Sequence, residues 1–241
     1  MFDQIPQLSR FAIVLLVLAV IWGLCHLVSH FAFPSGHFFY RTTVVVETPE
    51  GIRTGSAVRK INYHRELNIL EAGGKHYNLA RGQAVVVDLG ERGKLFALME
   101  GIGGPDYGHQ IILDSFPARE KTASGARVAL TPNEYPTLVR FRNLNDPKTV
   151  ELIFPGAVPT KLGNGLPCKQ CIGIADAFGN GVRIKEITME IVDEQPVTTG
   201  IIAALPWLST TYGHLSGSTM AFTDELYDTL ETRAFVVGAR Q

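Results

Sequence analysis

Two cysteines three positions apart, Cys168 and Cys171 in the run PCKQC, are the most reactive pairing in the chain. A C-x-x-C does redox work when a helix N-terminus acidifies the first thiolate, and it closes a small structural loop in an oxidising compartment. Here the pair precedes IleGlyIleAlaAsp in a glycine-rich stretch with no evident βαβ frame. Three readings stay open: a structural disulfide, a redox pair, and part of a metal site completed by histidines from elsewhere. No second C-x-x-C completes a zinc ribbon, and no metal or other cofactor is expected.

Two further groups are candidates for ligand binding. Leu138 to Arg142 reads LVRFR, which puts Val139 and Phe141 on one side of a strand and Arg140 and Arg142 on the other. Neighbouring guanidinium forks can grip a carboxylate or phosphate, or they can pair with acidic neighbours on a solvated sheet face. In GHLSG, Gly213 to Gly217, His214 and Ser216 loosely resemble a nucleophile elbow, but the serine comes one place too late for G-x-S-x-G. They can serve a binding face or a hydrolase, or simply be surface-loop residues. No catalytic residue is assigned.

Weaker signals surround these. PSGH, Pro34 to His37, occurs in membrane phosphatases, but those enzymes need several transmembrane helices and further Arg/His motifs, so the match is coincidence. GIGGPDYG, Gly101 to Gly108, lacks the phosphate-binding GxxxxGK[ST] pattern and reads as a flexible connection. His26 and His30, at i and i+4, share a helix face; they can ligate a metal or sit beside Trp22, Phe31 and Phe33 at headgroup level. His37, His64, His76 and His109 show no metal-binding spacing.

The longest positioning element is the apolar run Phe11 to Phe33, interrupted only by His26, Ser29 and His30. A helix of about 20 residues spans a hydrocarbon core of about 30 Å, so residues 11–33 are predicted to form a transmembrane anchor. Residues 1–10 would then be a short cytoplasmic tail, and 34–241 an exported domain. A cleaved signal peptide is the rival, but the small-x-small pattern is missing and Pro34 would follow the cut. Cys25 suggests a lipoprotein, yet Leu24 stands where a small residue is needed. Arg10 on one side and Arg41 and Arg53 on the other leave the positive-inside count undecided.

Beyond Pro34 the chain reads as short strands and turns. Tyr40 to Thr48 alternates, with Tyr40, Val44 and Val46 opposite Arg41, Thr43 and Glu47; TPEG then turns it toward a strand around Ser56 to Ile61. Asn62 to Gln83 is mixed and polar, with a loop at Gly73 and Gly74. Ala84 to Leu89 and Lys94 to Met99 form a hairpin about Gly90 to Gly93. Ile111 to Leu113, Arg127 to Leu130, Thr137 to Asn143 and Val182 to Val192 are further strand candidates. Two short helices follow: one capped by Thr198 or Thr199 and stopped by Pro206, the other over Thr223 to Thr232 with Leu226 and Leu230 on one face.

Composition narrows the partners. With 22 basic and 23 acidic residues and no Lys/Arg block, the chain lacks the concentrated positive patch that nucleic acid requires. The blocks YRTTVVVETPEGIRTGSAV from Tyr40, GQAVVVDLGERGKLFAL from Gly82, LVRFRNLNDPKTVE from Leu138 and ITMEIVDEQPVTTGIIAALPWL from Ile187 resemble a family of small membrane-anchored proteobacterial proteins. That resemblance implies a small membrane-anchored proteobacterial protein with no assigned activity, while one flanking Arg, an apolar run and a long following domain predict a bacterial inner-membrane, single-pass protein with a periplasmic C-terminal domain. The resemblance implies no catalytic residue, and the cysteine pair is not among the family's features.

The expected fold is therefore α+β and β-rich: a single N-terminal transmembrane helix followed by a mostly antiparallel-sheet globular domain with a few short C-terminal helices. The expected function is a membrane-anchored binding or envelope-assembly module. Its partners would be the membrane, through residues 11–33, and another envelope protein. The alternative is an envelope enzyme, either a thiol oxidoreductase using Cys168 and Cys171 or a hydrolase using His214 and Ser216.

Overall fold

A computed structural model describes residues 7–32, 35–65, 75–101, 104, 107–116, 123–161 and 168–238. The chain forms two compact units, one of Met1–Gly36 and Tyr63–Tyr77, the other of His37–Asn62 and Asn78–Gln241. In the first unit, α1 runs over Gln7–Ala32. Tyr63 stacks near Tyr77 with ring centroids 6.0 Å apart, and His64 near His76 at 5.7 Å. Gly36 is needed beside Tyr63, because a Cβ there would lie 2.5 Å from its hydroxyl oxygen.

The expected transmembrane anchor over residues 11–33 is corrected. Among the described residues, no helix is long and apolar enough to cross a membrane. The inner-membrane location rested on that anchor. Residues 1–6, Pro34, the Gly73–Gly74 loop and most of 102–106 lie outside the described residues, as do the side chains of Arg10, Cys25 and His30.

Beyond α1 the chain is sheet-rich α+β. One sheet has the order β11-β3-β2-β1-β10-β6, built from β1 (Gly36–Thr48), β2 (Gly51–Arg65), β3 (Lys75–Gln83), β6 (Arg127–Ala129), β10 (Arg183–Val192) and β11 (Val236–Val237). The other, β4-β5-β7-β8-β9, uses β4 (Val85–Asp88), β5 (Lys94–Gly101), β7 (Pro136–Phe141), β8 (Val150–Phe154) and β9 (Cys171–Gly173). β8 and β9 pair in parallel, whereas β4, β5, β7 and β8 pair antiparallel.

Alternation explains β1: Tyr40, Thr42, Val44 and Val46 are buried, while the residues between them are partly exposed. It pairs with β10 so that Tyr40 faces Ile191 and Val44 faces Ile187, with a bulge between Val45 and Val46. β5 has no exposed face, since Leu95 to Met99 are all buried. Phe96 and Leu98 pack with Val139, Phe141 and Val150 against the C-terminal segment, chiefly Ile201, Leu205, Leu230 and Phe235. By alternation Leu95, Ala97 and Met99 point to the opposite face. Each large side chain fully removed from water here contributes about 1.5–3 kcal/mol.

Several local expectations change. Ile111 to Leu113 lies in a helix, α2 (Tyr107–Ser115), because a three-residue apolar run fits either period and tertiary contacts decide. Gly108 lets α2 approach β1, since a Cβ there would sit 2.2 Å from the Tyr40 hydroxyl. α3 (Ile174–Phe178) follows β9, and α4 (Ile201–Ala204) has left-handed Gly200 at its N-cap rather than Thr198 or Thr199. Thr199 is engaged elsewhere, donating through its N–H and hydroxyl to Gln83 Oε1. α5 covers only Leu226–Thr229 of the expected Thr223–Thr232, because Leu230 already has extended backbone.

Candidate functional site

The C-terminal segment closes against the first sheet through β11, whose Val236 and Val237 register with Gln83 and Gly82 of β3. Ala84 N–H donates to Phe235 C=O at 2.8 Å, and the Phe235 side chain is fully buried. This closure leaves a cavity of about 490 Å³ lined by Asn78 and Leu79 of β3, Met99 and Glu100 of β5, and Arg233, Ala234 and Val237. A cleft of about 260 Å³, lined by Arg81, Gly82, Gln83, Pro196, Val197 and Thr198, shares Val237 with it.

Glu100 is the chemically distinctive wall of the larger cavity. Burial pushes its carboxyl above the usual range, Arg233 pulls it back and Glu231 pushes it further up. Arg233 engages Glu231 at both ends, Nε to Oε2 at 2.7 Å and Nη2 to Oε1 at 3.2 Å. A glutamate whose native pKa is raised favours folding while it is protonated, and that contribution is lost as pH climbs through the raised value. Glu100→Gln is therefore expected to raise the thermal midpoint by a few degrees near neutral pH and to leave it little changed at acidic pH. Melting curves across that range check it; a midpoint lowered at neutral pH overturns the assignment.

Arg59 is fully buried, close to Gly82, which Met99 of the cavity lining also approaches. Its guanidinium donates to Thr42 Oγ1 at 3.3 Å, to Leu98 C=O at 3.4 Å and, through Nε, to Gln83 C=O at 3.5 Å, and it lies 5.8 Å from the centre of the Tyr40 ring. Gly82 makes room for it, since a Cβ there would come within 2.9 Å of Arg59 Cγ and 3.1 Å of Met99 Sδ. The buried Tyr107 hydroxyl donates to Glu134 C=O, and burial raises its pKa against the pull of Arg59.

The residues singled out from sequence lie elsewhere. Cys168 and Cys171 form a disulfide. Cys171 opens β9 opposite Leu152, and the intervening Gln170 accepts from Leu152 N–H at 2.7 Å and, through Oε1, from Leu226 N–H at 2.6 Å. The bridged loop thus ties the edge of the second sheet to α5. α3 begins only at Ile174, so neither sulfur occupies its first turn.

Arg140 reaches Glu151 at 2.7 Å, donates to Ala177 C=O and stacks 5.6 Å from the Phe178 ring. Arg142 meets the same carboxylate at 3.3 Å. Glu151 thus engages both guanidinium groups, as acidic neighbours on a sheet face do.

His214 forms an isolated antiparallel bridge with Glu231, and Ser216 lies in the turn that follows. Leu215 N–H donates to Leu230 C=O, Ser216 N–H to Tyr227 C=O, and Thr232 N–H to Gly213 C=O. His214 Nδ1 and Ser216 Oγ are buried, with no hydrogen-bond partner among the described residues. Asp228, also buried, accepts from Phe222 N–H, Thr223 N–H and the Thr223 hydroxyl at 3.0, 2.8 and 3.0 Å. The adjacent Ser216 hydroxyl, followed by these donors, holds the Asp228 carboxyl below the usual carboxylate range. The Ser216 contact itself falls short of hydrogen-bond geometry. With Oγ buried, Ser216 is not presented to a substrate.

Sequence reasoning missed Arg59, Glu100 and Arg233. A signal for Arg59 existed: Ala57, Arg59 and Ile61 share one face of β2 by alternation, which puts a cation in line with core residues. No family model matches this chain, and no curated protein and no solved structure matches it either.

Proposed function

We propose that this chain is a binding module that takes a small, mostly apolar ligand into the cavity between β3, β5 and the C-terminal segment. The observation that carries this is the cavity itself: about 490 Å³, with an apolar lining from Leu79, Met99, Ala234 and Val237 and a half-buried carboxyl from Glu100. Ligand sites of drug-sized molecules typically have about 300–1,000 Å³ and mostly apolar walls with a few placed polar groups. Lining residue Ala234 precedes the fully buried Phe235, and Met99 and the fully buried Arg59 both lie close against Gly82, which favours a pocket formed before the ligand arrives.

An uncharged probe tests the reading without prejudging ligand charge. n-Hexanol titrated into the full chain is expected to shift the methyl resonances of Met99, Leu79, Ala234 and Val237 in a saturable way. Shifts confined to other methyls, or none that saturate, overturn the proposal.

A further inference from the structure

We propose that the ligand of this cavity carries a primary ammonium on a short apolar body, with the ammonium held by Glu100. This rests on the reading of the cavity as a ligand site.

The charge arrangement sets the sign. Arg233, the cation among the described lining residues, is paired along one edge of its guanidinium with both oxygens of Glu231. Counting that pair as neutral leaves the Glu100 carboxylate as the net charge of the space. An anionic ligand would therefore meet Glu100 and Glu231 together, and a guanidinium already engaged. Arg233 offsets the burial of Glu100 only in part, since the carboxyl stays above its usual range; a cation entering the cavity supplies further counter-charge to the half-buried carboxylate.

The shape of the lining selects among cations. No aromatic ring is among the described lining residues, and ring faces are what recognise quaternary ammonium groups. A primary ammonium instead has three N–H donors. The two oxygens of Glu100 and the side-chain oxygen of Asn78 are acceptors on the same wall system, and Leu79, Met99, Ala234 and Val237 supply contact for the apolar body. The charged groups acting on Glu100 are Arg233 and Glu231, both from the C-terminal segment. β3 faces the cavity with uncharged Asn78 and Leu79, and β5 with Met99. Ammonium binding should therefore strengthen as pH rises through the raised Glu100 range, with release of the carboxyl proton; binding of an uncharged ligand should not.

Three probes of equal chain length separate the outcomes: n-hexylammonium, n-hexanol and n-hexanoate. They are titrated into the full wild-type chain and Glu100→Gln, with the same methyl resonances as readout. Hexylammonium is expected to bind roughly tenfold more tightly than hexanol near neutral pH, the worth of a charge-assisted hydrogen bond. Hexanoate should bind more weakly than hexanol. The ammonium preference should fade in acid in the wild type and vanish in Glu100→Gln. If hexanol binds in the cavity but hexylammonium is not preferred, or its preference survives in Glu100→Gln, the ammonium assignment is wrong while the cavity stands. If none of the three shifts the cavity methyls, the cavity reading falls and this proposal with it.

Discussion

Arg59→Ala is expected to lower the free energy of unfolding by about 4 kcal/mol, combining a large void with lost hydrogen bonds. The side chain has no exposed surface, and it donates to Thr42 Oγ1 and to the carbonyls of Leu98 and Gln83. Truncation removes the Arg59 donors from these acceptors, and the contacts to Thr42 Oγ1 and Leu98 C=O are buried. It also leaves Gly82, where only hydrogen separates the backbone from the Arg59 stem, facing an empty space. Arg59→Met refills most of that volume but restores no donor, so its cost should be roughly half as large. Urea unfolding of the two variants beside the wild type measures both. Equal costs would mean that volume alone matters at this position, and no cost in either would remove Arg59 from the core.

The second large effect is expected at Gly55 of β2. A Cβ there would lie 2.2 Å from the carbonyl oxygen of Val86 and 2.9 Å from its carbon, so β2 and β4 cross with their backbones nearly in contact. Backbone cannot step aside as a flexible side chain can. Gly55→Ala must therefore push the strands apart, at a cost of about 3 kcal/mol. Gly156→Ala is the matched control, because nothing lies within 4 Å of the added Cβ; it should change stability by less than about 0.5 kcal/mol. Urea unfolding again provides the comparison, and a Gly55→Ala variant as stable as the control would show that the strands can separate freely.

The cavity depends on the same close packing. Met99 of its lining and Arg59 both lie close against Gly82, so emptying the Arg59 site should loosen the walls as well as the core. The Glu100 carboxyl is half-buried because β11 and Arg233 close over the end of β5, an arrangement that brings together segments far apart in sequence.

What the sequence by itself determined is local and periodic. Alternation in Tyr40 to Thr48 marked the buried face of β1, and the apolar runs flanking Gly90 to Gly93 marked the β4–β5 hairpin, because side-chain direction in a strand depends only on residue parity. The spacing of Cys168 and Cys171 allowed a bridge before any partner strand was known. Parity could also have placed Arg59 inward beside Ala57 and Ile61, but not named its acceptors.

Tertiary structure decided the rest. Ile111 to Leu113 became part of a helix because Gly108 and Gly101 open room for α2 against Tyr40 and for the Tyr107 ring against β5, contacts that no three-residue window contains. Arg140 and Arg142 became a structural pair because β8 brings Glu151 between them. The apolar stretch in α1 reads from composition as an anchor, but among the described residues no helix is long and apolar enough to cross a membrane. Glu100 became the distinctive group of the chain because its environment is assembled by β3, β5 and the C-terminal segment together, and a carboxyl's proton affinity is set by what surrounds it in space.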